Sequence, residues 1–355
     1  MRRVNGRDHL MLRLRMAVAL VATGVLGLAA TLQTPAPGAA YKFQQIQPGI
    51  YSAVGTGTLN VGSNSAVIVN DDDVLIVDSH ITPEAARVML RELKTITSKP
   101  VRFLVNTHFH FDHTDGNQVF GPEVEIIGHE FTRKKLAGDF LHEPIFVNSI
   151  AGLPKQIADL EARAGAEQDA AAKARLDQQL RVQRAYQEQL KEIRPVPPNV
   201  TLTHKMTLVR GAREIQLLFV GRGHTGGDVV VFLPKERVLC SGDLLVNGIA
   251  NLVDGYVNEW PDALEKLKPL EFDDVIPGHG EPFKGKERIG YFQAFLRDIW
   301  TQTTALHDRQ VPAADAAKQI DMTSHKAHYP SIAGPGVNAV AVARMYSVIE
   351  HRADQ

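Results

Sequence analysis

The sequence predicts an α/β layered sandwich, and two observations carry that prediction. Short apolar, β-branched runs alternate with stretches of helical periodicity, the pattern of sheets covered by helices. Several of the runs also give way to loops rich in glycine or histidine, which places chemistry at strand ends. With 355 residues and 44% hydrophobic content, the chain can bury one large core or two modest ones, so disorder is not the general expectation.

The elements follow in order. Arg2, Arg3, Arg7, Arg13 and Arg15 precede an apolar run from Met16 to Leu32, and the small residues Gly38, Ala39 and Ala40 come next. That is the pattern of a signal peptide over residues 1–40 with a cleavage site at its end. The apolar run is at the short edge of a bilayer span of about 20 residues. The expectation is therefore cleavage, a periplasmic or secreted location and no stable membrane association afterwards. The runs 64–69 and 73–79, separated by the polar Asn70 to Asp72, predict a hairpin. Residues 82–97 turn helical, with Pro83 where its missing N–H costs nothing. Residues 101–106 read as a buried strand. Further strands are expected at 124–128, 200–209, 213–220, 228–233 and 237–241, and helices at 261–271 and 286–306.

Between 150 and 194 the composition changes to strong helix formers, with apolar Leu153, Ile157, Leu160 and Ala164 on one face. A helical hairpin broken near Gly165 and stopped by Pro195, Pro197 and Pro198 is expected. Its bland role is an amphipathic insert packed on the surface; its functional role would be a lid, or an arm forming a homodimer. The expected organisation is a domain over 41–310 carrying that insert, followed by an Ala-rich helical extension over 311–355.

Lys plus Arg number 39 against 40 Asp plus Glu, so no global field favours nucleic acid, and no nucleic-acid partner is expected. Cys240 is the single cysteine, which excludes an internal disulfide and every cysteine-rich zinc site. Histidine and aspartate remain as metal ligands. The run Thr107-His108-Phe109-His110-Phe111-Asp112-His113 carries the pattern HxHxDH on the loop leaving strand 101–106. Where the chain is extended, His108 and His110 project to one side, and a following turn can bring Asp112 and His113 toward a second point. That arrangement suits two adjacent metals better than one. His224 lies in the glycine-dense turn 221–228, Asp243 just past strand 237–241, and His279 just past the strand-like Asp274-Val275-Ile276. Taken singly, each of these three is more often a turn or capping residue than a ligand; with the first motif they form a set.

With these four elements in order, the chain resembles the metallo-β-lactamase superfamily over about residues 45–283. The resemblance implies a four-layer αβ/βα sandwich with two zinc ions at one edge between the sheets. By motif position it implies His108, His110 and His224 on one zinc, Asp112, His113 and His279 on the other, and Asp243 between them. Zinc in such an open site lowers the pKa of water to about 7 and polarises a carbonyl, and Asp112 is placed as the catalytic residue that orients the water. Asp78 resembles the family's aspartate that fixes a ligand histidine. The family's β-lactamase branch with Cys at the bridging position also has a Lys three residues later, and here those positions hold Asp243 and Val246. The expected function is an exported dinuclear-zinc hydrolase acting on an amide or lactam, an ester or lactone, or a thioester. The formal charge left on the metals favours a small-molecule substrate with an anionic group. Two other readings stand beside it: a mononuclear iron oxidoreductase resembling persulfide dioxygenases, and a non-catalytic zinc-binding module. His129, His142, His204, His307, His325, His328 and His351 match no motif position and are expected to be solvent-facing or packed. Cys240 is expected in the core, as are Tyr256, Trp260 and Tyr291 unless they line a pocket.

Overall fold

The computed structural model describes residues 38–352, so all but the last three residues of the expected signal peptide lie outside the described residues. One sheet has seven strands in chain order: β1 (Tyr41–Gln47), β2 (Ile50–Gly55), β3 (Ser65–Val69), β4 (Val74–Val77), β5 (Val101–Val105), β6 (Glu125–His129) and β7 (Val200–Leu202). The second has six: β8 (Lys205–Arg210), β9 (Arg213–Phe219), β10 (Val229–Leu233), β11 (Val238–Gly242), β12 (Asp274–Pro277) and β13 (Phe283–Lys284), in the order β13-β12-β11-β10-β9-β8. The hairpin expected over 64–79 is β3 and β4, paired antiparallel with Val69 opposite Val74. β4 through β7 run parallel, and β11 and β12 are the parallel pair of the second sheet.

The helices cover the outer faces. α1 (Pro83–Leu93) starts where the Thr82 hydroxyl accepts the N–H of Ala85, and it buries Ala85, Ala86, Met89 and Leu93 along one stripe. That stripe packs on Val67, Ile76 and Leu104, the outward residues of the first sheet. α2 (Phe111–Thr114) is a single turn inside the HxHxDH loop, followed by α3 (Glu130–Ala137), α4 (Pro144–Ala151), α5 (Leu153–Ala166) and α6 (Ala170–Gln189). α7 (Trp260–Glu265), α8 (Glu287–Asp308), α9 (Ala313–Gln319) and α10 (Ala339–Ile349) close the second sheet.

Period-two alternation decides which core each strand residue joins. Val229, Val231 and Leu233 of β10 point between the sheets, onto Val77, Val105 and Ile127. Val230 and Phe232 point outward to Trp260, Phe292 and Leu296. The result is four layers, helix, sheet, sheet, helix, as the sequence predicts. Residues after 310 join the outer layer: Ala316, Ala317, Val342 and Met345 are buried in the same cluster as Phe295 and Ile299 of α8. Among the described residues no helix is long and apolar enough to cross a membrane.

Two expectations change. The single strand expected at 200–209 divides at Thr203–His204 into β7 and β8, which lie in different sheets. A continuous run of strand-forming residues does not reveal a change of sheet, because both halves keep the same period. The insert is a helical hairpin, but Gly165 sits within the last turn of α5; the break comes at Glu167–Asp169, where the Asp169 carboxylate accepts the N–H of Ala172 and starts α6. The insert packs on the domain through Leu153, Ile157 and Tyr186 against Ile81.

Candidate metal centre

The HxHxDH loop is bolted from behind. Phe109 joins a cluster with Phe131, Leu136 and Phe140 and backs the His110 ring edge-on at 4.7 Å, and Phe111 meets Phe146 of α4 edge to face at 5.9 Å. Serine hydroxyls tie its backbone to the first sheet: Ser63 donates to the carbonyl of Asp112 at 2.7 Å and Ser79 to that of His113 at 3.2 Å. The flanking phenylalanines thus force His108 and His110 to the other side, toward the sheet edge.

There the structure brings all seven predicted residues together. Ligand-capable atoms of His108, His110 and His224 lie within 4.8 Å of one another, and so do those of Asp112, His113 and His279. Asp243 reaches both groups, its carboxylate lying 3.4 Å from His224 Nε2, 3.2 Å from His279 Nε2 and 3.6 Å from His113 Nε2. Three of the four segments that carry them belong to the second sheet, since His224 precedes β10, Asp243 follows β11 and His279 follows β12. A Cβ added at Gly278 would overlap the Asp243 carboxylate and press on His113, so only glycine leaves the two groups room. Gly226, in the turn of His224, likewise lies against the Phe131 ring. That turn is held by Asp228, which accepts both the N–H and the hydroxyl of Thr225.

The donor set fits a metal. The His108 Nε2 and Asp243 Oδ1 atoms are buried at the centre without a hydrogen-bond partner, an expensive arrangement unless something coordinates them. Imidazole nitrogens also face each other, with His224 Nε2 2.9 Å from His110 Nδ1 and His113 Nε2 3.4 Å from His279 Nε2. Neutral imidazoles and carboxylates in two groups of three are the ligand chemistry of zinc, with room in each group for a further ligand.

Electrostatics divide the two groups. Burial pushes His108 well below the usual range and His224 down to about 3, and the neighbouring histidines add to the effect, so both rings stay neutral. Burial also opposes charge on His113 and His279, but carboxylates outweigh it: Asp112, Asp78 and Asp243 raise His113 to about 9, and Asp243 and Asp112 raise His279 to about 11. The same contacts hold Asp112 and Asp243 below the ordinary carboxylate range against the opposing effect of burial. A metal entering the second group must displace those two imidazole protons.

Three of the five rings are oriented from outside. Asp78 accepts from His113 Nδ1 at 2.8 Å and from the Thr107 N–H and hydroxyl, each at 2.8 Å. Asp254 takes His110 Nε2 at 2.9 Å, and the carbonyl of Asn251 takes His224 Nδ1 at 2.9 Å. Asp78 is legible in the sequence; Asp254 and Asn251 are not, because each lies in an irregular loop far along the chain from the histidine it serves. Asp254→Ala is expected to weaken metal affinity about 10-fold with unchanged folding, as for outer partners of metal ligands, and titration with a competing chelator measures it.

The opening is a cavity of about 320 Å³ lined by the centre together with Phe111, Ile145, Ser149, Val246, Ile249 and Ala250. Its lining holds no Lys or Arg. Ile145 and Ser149 come from α4, just ahead of the insert, and His279, at 40% side-chain exposure, faces the opening. α6 backs the loop from the other side: the Tyr186 phenol is pushed well up by burial and by the charges of Asp115 and Asp112. Of the aromatic residues, Trp260 and Tyr256 are buried, and the Trp260 indole donates to the carbonyl of Leu244. Tyr291 departs from expectation, lying exposed and stacked on His328 at 3.7 Å, because its side of α8 faces outward. Cys240 is buried between the sheets. His80, which no motif singles out, is a fully buried ring set between Ser63 and Ser65 and pushed by burial down to about 3.

The sequence profile of the metallo-beta-lactamase superfamily matches residues 59–135 and 136–279, and the chain belongs to that superfamily of metal-binding hydrolases. It is 23% identical over 275 residues to the linear primary-alkylsulfatase of Pseudomonas sp. (strain ATCC 19151), covering 73% of this chain and 50% of that protein. It is 34% identical over 117 residues to the metallo-beta-lactamase type 2 of Bacteroides fragilis, covering 31% of this chain and 46% of that one. The chain thus spans about half the length of these curated relatives. Among solved structures, a metallo-beta-lactamase from Pontibacter korlensis superposes with a TM-score of 0.52 at 19% identity, over 73% of this chain and 99% of its own, a likeness of fold.

Proposed function

We propose that the chain is a dinuclear zinc hydrolase that cleaves an amide or lactam, ester or lactone, or thioester bond, and that it works outside the cytoplasm, in the periplasm or secreted. The observation that carries the proposal is the division of the donors into two groups of three, with Asp243 in reach of both. Zinc bound there would supply a water activated as nucleophile near neutral pH and a Lewis acid toward the substrate's oxygen.

The chain's own residues then have distinct tasks. His108, His110 and His224 offer neutral nitrogens, and Asp78, Asp254 and the Asn251 carbonyl fix which nitrogen of each partner ring faces inward. Asp112 lines the opening with its carboxylate 3.1 Å from His279 Nε2, a place that suits orienting an attacking water. Phe111, Ile145 and Val246 keep the opening dry. With no Lys or Arg in the lining, attraction for an anionic group on the substrate rests on the metals alone, and the 73% coverage by an alkylsulfatase adds sulfate esters to the bonds worth testing.

The test is metal analysis of protein purified without added metal, followed by a panel of lactams, lactones, thioesters, carboxylic esters and alkyl sulfates on the zinc-loaded form. About two zinc per chain and zinc-dependent turnover are expected, and Asp112→Asn, which takes a carboxylate donor from the second group, should lower kcat on the order of 100-fold and weaken zinc at that group. One iron per chain with oxygen consumption would overturn the proposal, as would zinc binding without turnover of any bond class, which is the result a non-catalytic module gives.

A further inference from the structure

A second cavity of about 490 Å³ adjoins the metal pocket, between the loop after β11 and the C-terminal helices. Phe295 and Ile299 of α8, Met322, Leu252, and Ile332 and Val337 of the connection between α9 and α10 line it. None of its lining residues is charged. The connection is tied down at its far end, where the N–H of Gly336 reaches the carbonyl of Ile320 at 2.8 Å and that of Val337 the carbonyl of Ala317 at 2.9 Å.

Ile249, Ala250 and Asn251 line both cavities. They belong to no helix or strand, and the Asn251 carbonyl is the group that orients His224. The two spaces therefore meet at this tripeptide. The two spaces differ in chemistry as the two ends of an amphiphile do: one holds charges and metal donors, the other only apolar and neutral side chains. At this size the second cavity accepts a substantial organic group, and burying an alkyl chain there is favourable in proportion to the apolar surface removed from water.

We infer that the second cavity binds the apolar arm of the substrate, so that the enzyme acts on amphiphiles whose scissile bond sits at the head of a long alkyl or aryl group. This rests on the hydrolase proposed above. The selectivity comes from this chain's C-terminal segment, since Ile332, Val337 and Ala341 all lie beyond the region matched by the superfamily profile.

Two measurements on the full chain decide it. Val337 and Ile332 are half-buried at the edge of the outer core, so Val337→Asp and, as the second variant, Ile332→Asp each place a charge in the cavity wall. For the zinc-loaded protein, KM for p-nitrophenyl laurate should rise about 10-fold or more in each variant, as expected for a charge set against a buried chain, while kcat and KM for p-nitrophenyl acetate stay within a factor of about two. The neutral probe N-phenylnaphthylamine should bind the metal-free wild-type protein, be displaced by dodecanol, and bind both variants at least about 10-fold more weakly. Equal shifts in KM for both esters, or probe binding that is absent or indifferent to both substitutions, would overturn the inference. If neither these esters nor any other bond class of the panel is turned over while the probe behaves as described, the hydrolase reading fails on its own and the apolar site remains.

Discussion

Asp243→Ala is expected to abolish zinc-dependent turnover, by more than the 10–100-fold that outer partners of metal ligands command, and to lower zinc bound per chain to roughly half or less. The reasoning is geometric. Asp243 faces His224 on one side and His113 and His279 on the other, so its loss disturbs both groups of donors at once. It also removes a carboxylate that favours the cationic form of His279 when no metal is bound. Metal analysis and kinetics on the same preparation check the prediction. Unchanged zinc content with intact turnover would remove Asp243 from the centre.

The second large effect is on stability. Asp78→Ala should lower the unfolding free energy by about 3 kcal/mol, because the Thr107 N–H, the Thr107 hydroxyl and His113 Nδ1 lose one shared acceptor, and each buried donor left unpaired costs about 1–3 kcal/mol. Asp78→Asn separates scaffold from site. Asparagine tolerates the backbone at φ 66° and its carbonyl can still accept the Thr107 N–H, so part of the stability should return. Its amide, however, turns donors toward His113, so zinc affinity should remain at least about 10-fold weakened. Denaturant midpoints of the metal-free proteins and chelator competition read the two effects separately. Full recovery of both in Asp78→Asn would show that the aspartate's charge does nothing for the ring.

Much of this was legible in the sequence because the informative features are local. The HxHxDH run is one turn of chain, and strands such as Val74–Val77 and Val229–Leu233 announce themselves by an unbroken apolar run buried on both faces. The hairpin at Asn70–Asp73 and the cap at Thr82 depend on residues within a few positions of one another. Other features depend on partners remote in sequence. Asp254 meets His110 across 144 residues, and an exposed-looking aspartate in an irregular loop carries no mark of that meeting. The wall supplied by Ile145 and Ser149 is invisible for the same reason: α4 is a short apolar helix whose neighbours are chosen by the packing of Phe146 on Phe111. The passage of residues 200–209 from one sheet to the other is set by where Ile127 and Leu217 lie in space, and pattern alone does not carry it.

The position of the centre astride the two sheets has a consequence for assembly. Four of its seven donors ride on the loop that follows β5, and the other three lie on loops of β10, β11 and β12. Neither half of the chain holds a complete group of three, since the first group needs His224 and the second needs His279. Metal captured at the full site therefore binds only chains whose halves have already docked, and mass action draws the population toward that docked form by RT ln(1 + [Zn]/Kd), about 2.7 kcal/mol at a hundredfold excess over Kd. With the proposed zinc bound, the melting temperature should climb with zinc concentration long after every site is filled.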